Sequence, residues 1–332
     1  MKNILITGAG GPAGRALIAQ LHGRRIDGEE VVLIGADTAT LDDPRLSLSA
    51  RLPAALDPAY TPALQHLIGI VRADLIIPTV PEELPIVAVL ADLIGADLSP
   101  MAGVDGEWSN IAQIAPWVSP PVVISPPGPT ALAADTLHTM WALDRAAVHV
   151  PDYAPAEQLS SAEAALERFH GPIVVKPRGS RGARGVQVIR AGDGLEWSSL
   201  PAGSIVQAFA SGAAYCPQVF RSWETGRTDV VVLERTEVRE ARFGDAAPIR
   251  RCEPGEVPDV ERLAARAVES LGLIGPVDLD IRRMHDGMPV VLDVDARFGA
   301  HSEAAPEMVD LLVEEVFGRP RLAGSALAER SW

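Results

Sequence analysis

The sequence predicts an α/β protein that opens with a parallel sheet and continues into segments that contain hairpins. Three observations predict it. Residues 1 to roughly 110 alternate short apolar strand patterns with helical ones, an alternation that implies a parallel sheet. Further on, GPIVVKPRGSRGARGVQVIR sets two strand patterns on either side of a basic, glycine-rich loop, and PVDLDIRRMHDGMPVVLDVDARF writes Asp-x-Asp twice around an Asp-Gly turn. With 332 residues, 47% of them hydrophobic, the chain can bury large cores and has the length of two or three packed units.

In chain order, Asn3 to Thr7 reads as a short buried strand, Gly8 to Gly14 as a glycine turn, and Arg15 to His22 as a helix. Val31 to Ala36 is a second strand and Asp74 to Pro78 another. The turn GAGGPAG, with Asp37 closing the next strand, admits two readings. Its glycines could let a pyrophosphate approach while Asp37 holds a ribose, or they could serve close packing of helix on sheet. Against the first stand an irregular spacing and Pro12, which lacks an amide where the helix should begin donating.

Pro116 to Pro129 is rich in proline and lacks helical periodicity, which marks a linker or domain edge. Asp135 to Ala146 and Ser161 to Phe169 read as helices, Ile173 to Lys176 and Val186 to Ile189 as strands. The loop between those strands is no Walker loop, because it joins strand to strand and its Lys176 precedes it. Gly179, Gly182 and Gly185 would let the backbone bend over an anion, with Ser180, Arg181 and Arg184 as donors. An exposed hairpin with no ligand is the alternative, although a lysine on a buried strand calls for a partner.

In the late hairpin, alternation puts Asp278 and Asp280 on one face of the first strand and Asp293 and Asp295 on one face of the second. Val277, Leu279 and Ile281 with Leu292, Val294 and Ala296 make the apolar face. A two-residue Asp286-Gly287 turn sets His285 opposite Met288, Asp280 opposite Asp293 and Asp278 opposite Asp295. Like charges in register destabilise a strand pair, so the face needs water, a basic partner such as Arg282, or a hard divalent ion bound through oxygen, Mg²⁺ above all.

The formal charge of -15, from 44 acidic and 29 basic residues, argues against a nucleic-acid or anionic-membrane surface. Cys216 and Cys252 are too few and too far apart for a disulfide framework or a thiolate metal site. MKNILITGAG enters a strand at once and no uncharged apolar run reaches spanning length, so a cytoplasmic protein with no membrane partner is expected.

Taken in order, an α/β domain, a strand lysine before a glycine-rich hairpin and an acidic hairpin ending in Asp-x-Arg resemble the ATP-grasp superfamily. The likeness is to its carbamoyl-phosphate-synthase-like carboxylate-amine ligases, which include the pyrrolysine-pathway ligase group. It extends to IIPTVPEEL at Ile76 to Leu84. The resemblance implies a pre-ATP-grasp, Rossmann-like parallel-sheet domain over 1–111, a first ATP-grasp lobe over 112–204 and a C-terminal lobe over 205–332. It implies ATP and Mg²⁺, small carboxylate and amine substrates, an acyl-phosphate intermediate and, as is common in the family, a homodimer. Lys176 would contact ATP at its α-phosphate and adenine side. Residues 179 to 185 would cover the outer phosphates, and backbone groups at Gln207, Ala208 and Phe209 in the hinge SIVQAFASG would read adenine. Asp280, Asp293 and Asp295 would hold metal, with Asp278, where an Asn is frequent, ranked below them. Arg297 would steady the transferring phosphoryl group. Gly10, Glu82, Arg297, His301 and Ser302 would face substrate, although Ser302 with Glu303 could equally cap the last helix, Glu307 to Phe317. The chain departs from the family pattern at Thr136, where a Lys is usual, at Ala214, where a ribose-binding Glu is usual, and at Asp293, a methylene shorter than Glu. A non-catalytic nucleotide-binding member is therefore the first alternative, and a nicotinamide-dependent oxidoreductase using the glycine turn the second.

Overall fold

The computed structural model of the chain describes residues 1–95, 121–179, 184–236 and 248–318. Ser180, Arg181 and Gly182 of the glycine loop, and 116–120 of the proline-rich stretch, lie outside them.

Lys2–Thr7 has its last four residues buried, as a strand covered on both faces requires. It lies between Glu29–Asp37 and Leu75–Ile77, parallel to both, and Leu48–Arg51 adds a further parallel pairing to Glu29–Asp37. Among the described residues only the short Arg25–Ile26 runs antiparallel in this sheet, at the edge. The first helix is Pro12–Leu21 and so begins earlier than Arg15. Proline at the first helical position loses nothing, because that amide has no intrahelical acceptor, and the turn therefore ends at Gly11. Gly14 sits inside the helix, where a Cβ would come within 2.5 Å of the Gly8 carbonyl oxygen. Its role is close packing of helix on turn.

The second sheet is antiparallel, in the order Tyr153–Pro155, Ser204–Ala208, Ile173–Pro177, Gln187–Ile189. The expected helices beside it are Thr136–Arg145, capped by the Asp135 carboxylate, and Ala162–Arg168, capped by the Ser161 hydroxyl. The chain leaves this sheet after Ala208. A third, seven-stranded sheet is built around Gly275–Arg283, which pairs with Ala214–Tyr215 and Gln218–Arg221 on one side and Pro289–Asp295 on the other. Helix Pro258–Ser270 covers its apolar face, so its acidic face is left for other partners. The first domain is joined to this lobe through one core: Leu17, Ile18 and Leu21 pack in a cluster with Phe298, Met308 and Leu312. Among the described residues no helix is long and apolar enough to cross a membrane.

Candidate active site

The late hairpin pairs Asp278 with Asp295 and Asp280 with Asp293, as counted from the sequence, but by a different route. Met284 N–H bonds the Met288 carbonyl, so three residues, not two, form the turn, and Arg283 faces Pro289. A bulge between Asp280 and Ile281 on one strand and Val291 and Asp293 on the other then shifts the register back by one. Val291, rather than Leu292, therefore enters the core, and Leu292 turns to the acidic side. The bulge also frees a backbone acceptor: the Leu292 carbonyl takes a hydrogen bond from Lys176 Nζ at 2.8 Å. This is the partner that a buried lysine requires, and it ties the first lobe to the second.

The four acids have distinct surroundings. Asp278 is half-buried, accepts from Gln218 Nε2, and lies against Gly299, where a Cβ would fall 2.2 Å from its Oδ2. Burial, and then the charges of Asp280 and Asp295, push its carboxyl up to about 8. Asp280 pairs with Arg235 at 2.8 Å and Asp295 with Arg297 at 2.9 Å. The cation paired with Asp280 is thus Arg235, while Arg282 lines the same cavity, its guanidinium 5.7 Å from the Phe209 ring centre. Asp293 accepts from Thr136 Oγ1 at 3.3 Å and from the Val294 amide. Thr136, where the resemblance led one to expect a lysine, therefore touches the acidic face. Asp135 beside it caps its helix and holds Arg178 through two bonds of 2.9 and 2.5 Å.

In the predicted hinge the Ala208 amide donates to the Asp152 carbonyl and the Phe209 amide to the Pro172 carbonyl. Those two donors are committed to the fold and cannot read a base. The Gln207 side chain, 2% exposed, lines the cavity and its Nε2 has no partner among the described residues.

A cavity of about 860 Å³ collects most of these groups. Its lobe walls carry Lys176, Arg184, Arg235, Arg297 and the four acids, together with residues 207–210 of the hinge. Gly10 and Glu82 stand on the wall contributed by the first domain. Gly179 and Gly185 do not line it, and Gly185 packs toward Pro177. His301 and Ser302 do not line it either: the wall ends at Ala300, and the chain turns into a short 3-10 segment, Ser302–Ala304, in which Ser302 is fully buried. Sequence reasoning missed Arg235 and Gln218 and named Thr136 only as a departure from the family pattern; each stands on an element remote in sequence from the acid it meets. A second cavity of about 760 Å³, beside Trp141 and Tyr153 on the first lobe, contains none of the predicted site residues.

Among the described residues no three His, Cys, Asp or Glu side chains converge on one metal position. The donors nevertheless suit magnesium, which takes hard oxygen ligands and commonly uses one or two carboxylates alongside phosphate oxygens. Asp293 and Asp295 lie on one strand face at the cavity wall and supply that number.

A model of the ATP-grasp domain matches residues 133–301, from the capped helix through both lobes to the acidic hairpin. Among solved structures, an L-amino acid ligase from Bacillus licheniformis superposes with a TM-score of 0.66 at 16% identity, covering 95% of this chain and 74% of that one. N5-carboxyaminoimidazole ribonucleotide synthetase from Thermotoga maritima gives 0.62 at 16% identity, over 96% and 77%. D-alanine–D-alanine ligase from Bacillus anthracis gives 0.58 at 14% identity, over 95% and 97%. No curated protein matches the chain in sequence. At such identities the structural likeness is one of fold, and the first-domain parallel sheet followed by two antiparallel lobes is common to it throughout. With half of its length matched by the domain and the lysine, hinge and acidic hairpin in the order expected, the chain belongs to the ATP-grasp family.

Proposed function

We propose that the protein is an ADP-forming ligase that joins a carboxylate to an amine, using ATP and Mg²⁺. The observation that carries this reading is the convergence on one cavity of Lys176 and Arg184 from the first lobe with Arg297, Asp293 and Asp295 from the second. A carboxylate oxygen attacks the γ-phosphorus of ATP and ADP leaves; the amine nitrogen then attacks the acyl carbon, inorganic phosphate leaves, and the nitrogen gives up a proton. Both steps need negative charge screened and reactants held in line. Lys176 and Arg184 provide positive charge along the polyphosphate, and Arg297, anchored to Asp295 and the Phe298 carbonyl, provides it at the reacting end. Asp293 and Asp295 would hold Mg²⁺, whose charge would help screen the phosphates. Amino-acid-sized partners are favoured, in keeping with the L-amino acid and D-alanine ligases that share the fold.

The dinucleotide reading loses support because Asp37 is occupied. Its Oδ2 accepts from the Gly10 amide at 2.9 Å and its Oδ1 from the Thr38 amide at 2.6 Å. The absence of the usual lysine and glutamate keeps a non-catalytic member as the second reading. A screen of paired amino acids with ATP and Mg²⁺ tests the proposal by ADP release and product mass, and hydroxylamine should trap a hydroxamate from the acyl phosphate. Release of AMP and pyrophosphate would refute it.

A further inference from the structure

Each cross-strand pair on the acidic face has one member turned to an arginine. Asp278 stands opposite Asp295, which holds Arg297, and Asp293 stands opposite Asp280, which holds Arg235. Arg297 is a neighbour of its acid in sequence, whereas Arg235 comes from another strand. That strand, Leu233–Arg235, is separated from Gly275–Arg283 by Ala214–Tyr215. Ala214 is the ladder partner of both Arg235 and Arg282, and residues directly opposite in antiparallel strands share a face. Its small methyl group lets the guanidinium cross to Asp280, where Nη2 lies 2.8 Å from Oδ1. The Cys216 thiol points at the same oxygen from 3.9 Å. The Arg235 side chain is 18% exposed against 42% for Asp280, so the arginine is the better buried of the two.

Arg235 covers the place where a free divalent ion would otherwise sit. Carboxylates directly opposite on antiparallel strands have Cβ atoms about 4.5–5.5 Å apart, close enough to share one ion. On Asp280 and Asp293 that ion would stand beside the guanidinium, and like charge opposes it. In keeping with this, four acids share the face, yet no three described His, Cys, Asp or Glu side chains converge on one metal position. Asp293 meets only neutral donors among the described residues, the Thr136 hydroxyl and the Val294 amide. It is therefore suited to a metal that brings further oxygen ligands with it on phosphate.

Resting on the ligase reading, we infer that Arg235 is the resident counter-ion of Asp280. It withdraws Asp280 from the metal ligands and keeps the acidic face closed to free divalent cations, so that metal enters together with nucleotide. Mn²⁺, which takes the same oxygen ligands as Mg²⁺ and is counted by the EPR signal of the free ion, is the probe, on the full-length protein at pH 7. Without nucleotide, Arg235→Met should bind Mn²⁺ about tenfold or more tighter than wild type, whereas Arg235→Lys, which keeps the charge, should stay within about threefold of it. Adding Asp280→Asn to Arg235→Met should abolish the gain. That double variant leaves no unpaired charge, so it serves even where Arg235→Met does not fold. With ADP present it should hold Mn²⁺ within about threefold of wild type, because Asp280 is not a ligand. Wild type that binds Mn²⁺ alone as tightly as Arg235→Met, Arg235→Lys that behaves like Arg235→Met, a gain that survives Asp280→Asn, or about a tenfold loss of Mn²⁺ affinity in the double variant with ADP overturns the inference. ADP binding to wild type is measured by calorimetry on the same sample: if it fails, the ligase reading falls, and the titrations without nucleotide still decide the role of Arg235.

Discussion

Asp293→Asn and Asp295→Asn are the same chemical change on one strand face, yet they should move the stability of the ligand-free protein in opposite directions. Asp293 stands opposite Asp280 in the ladder and, among the described residues, accepts from the Thr136 hydroxyl and its neighbour's amide. Asparagine keeps an acceptor for both and removes a like-charge pair, which should stabilise by about 0.2–1 kcal/mol. The melting temperature should rise by roughly 0.5–3 °C on the scale of a large domain. Asp295 instead holds Arg297, whose side chain is 12% exposed against 35% for the acid. Breaking this half-buried pair should cost about 1–2 kcal/mol, between the values for exposed and fully buried pairs. Melting curves without nucleotide read the two signs. Repeating them with ATP and Mg²⁺ should show the ligand-induced rise reduced in both variants, with ADP release abolished. Shifts of the same sign, or an Asp293→Asn protein that keeps full Mg²⁺-dependent turnover, would show that the face is scaffold.

Three further outcomes follow from the structure. Burial raises the Glu83 carboxyl above its ordinary value, outweighing its hydrogen bonds. A folded-state value above the unfolded one adds stability at low pH that is lost as pH rises from about 4.5 through the folded value. Glu83→Gln, which keeps the acceptor, should therefore gain stability relative to wild type between acid and neutral pH, whereas Glu83→Ala should lose about 2–4 kcal/mol by orphaning buried amides, as denaturant melts across pH will show. Lys176→Met should remove ATP binding measured by calorimetry and also lower apo stability by about 1 kcal/mol, because the Leu292 carbonyl loses its donor. Asp135→Ala removes both a helix cap and the Arg178 pair, so it should cost about 1–3 kcal/mol, with Asp135→Asn recovering the cap alone.

Period and turn chemistry made much of this protein legible in its sequence. The alternation in the first hundred residues, the capped helices at Asp135 and Ser161, the strand holding Lys176 and the pairing of Asp280 with Asp293 are local properties, read from neighbours a few residues away. The hairpin shows where locality ends. Its acids meet as counted only because a longer turn and a bulge offset each other, and the bulge is held by partners far along the chain: Val291 N–H on the His149 carbonyl and Lys176 on Leu292. Likewise nothing beside Asp280, Asp278 or Asp293 in sequence points to Arg235, Gln218 or Thr136. These contacts arise because the lobes stack and the sheet joins strands distant in sequence, so the choice of which cation meets which acid belonged to the tertiary structure.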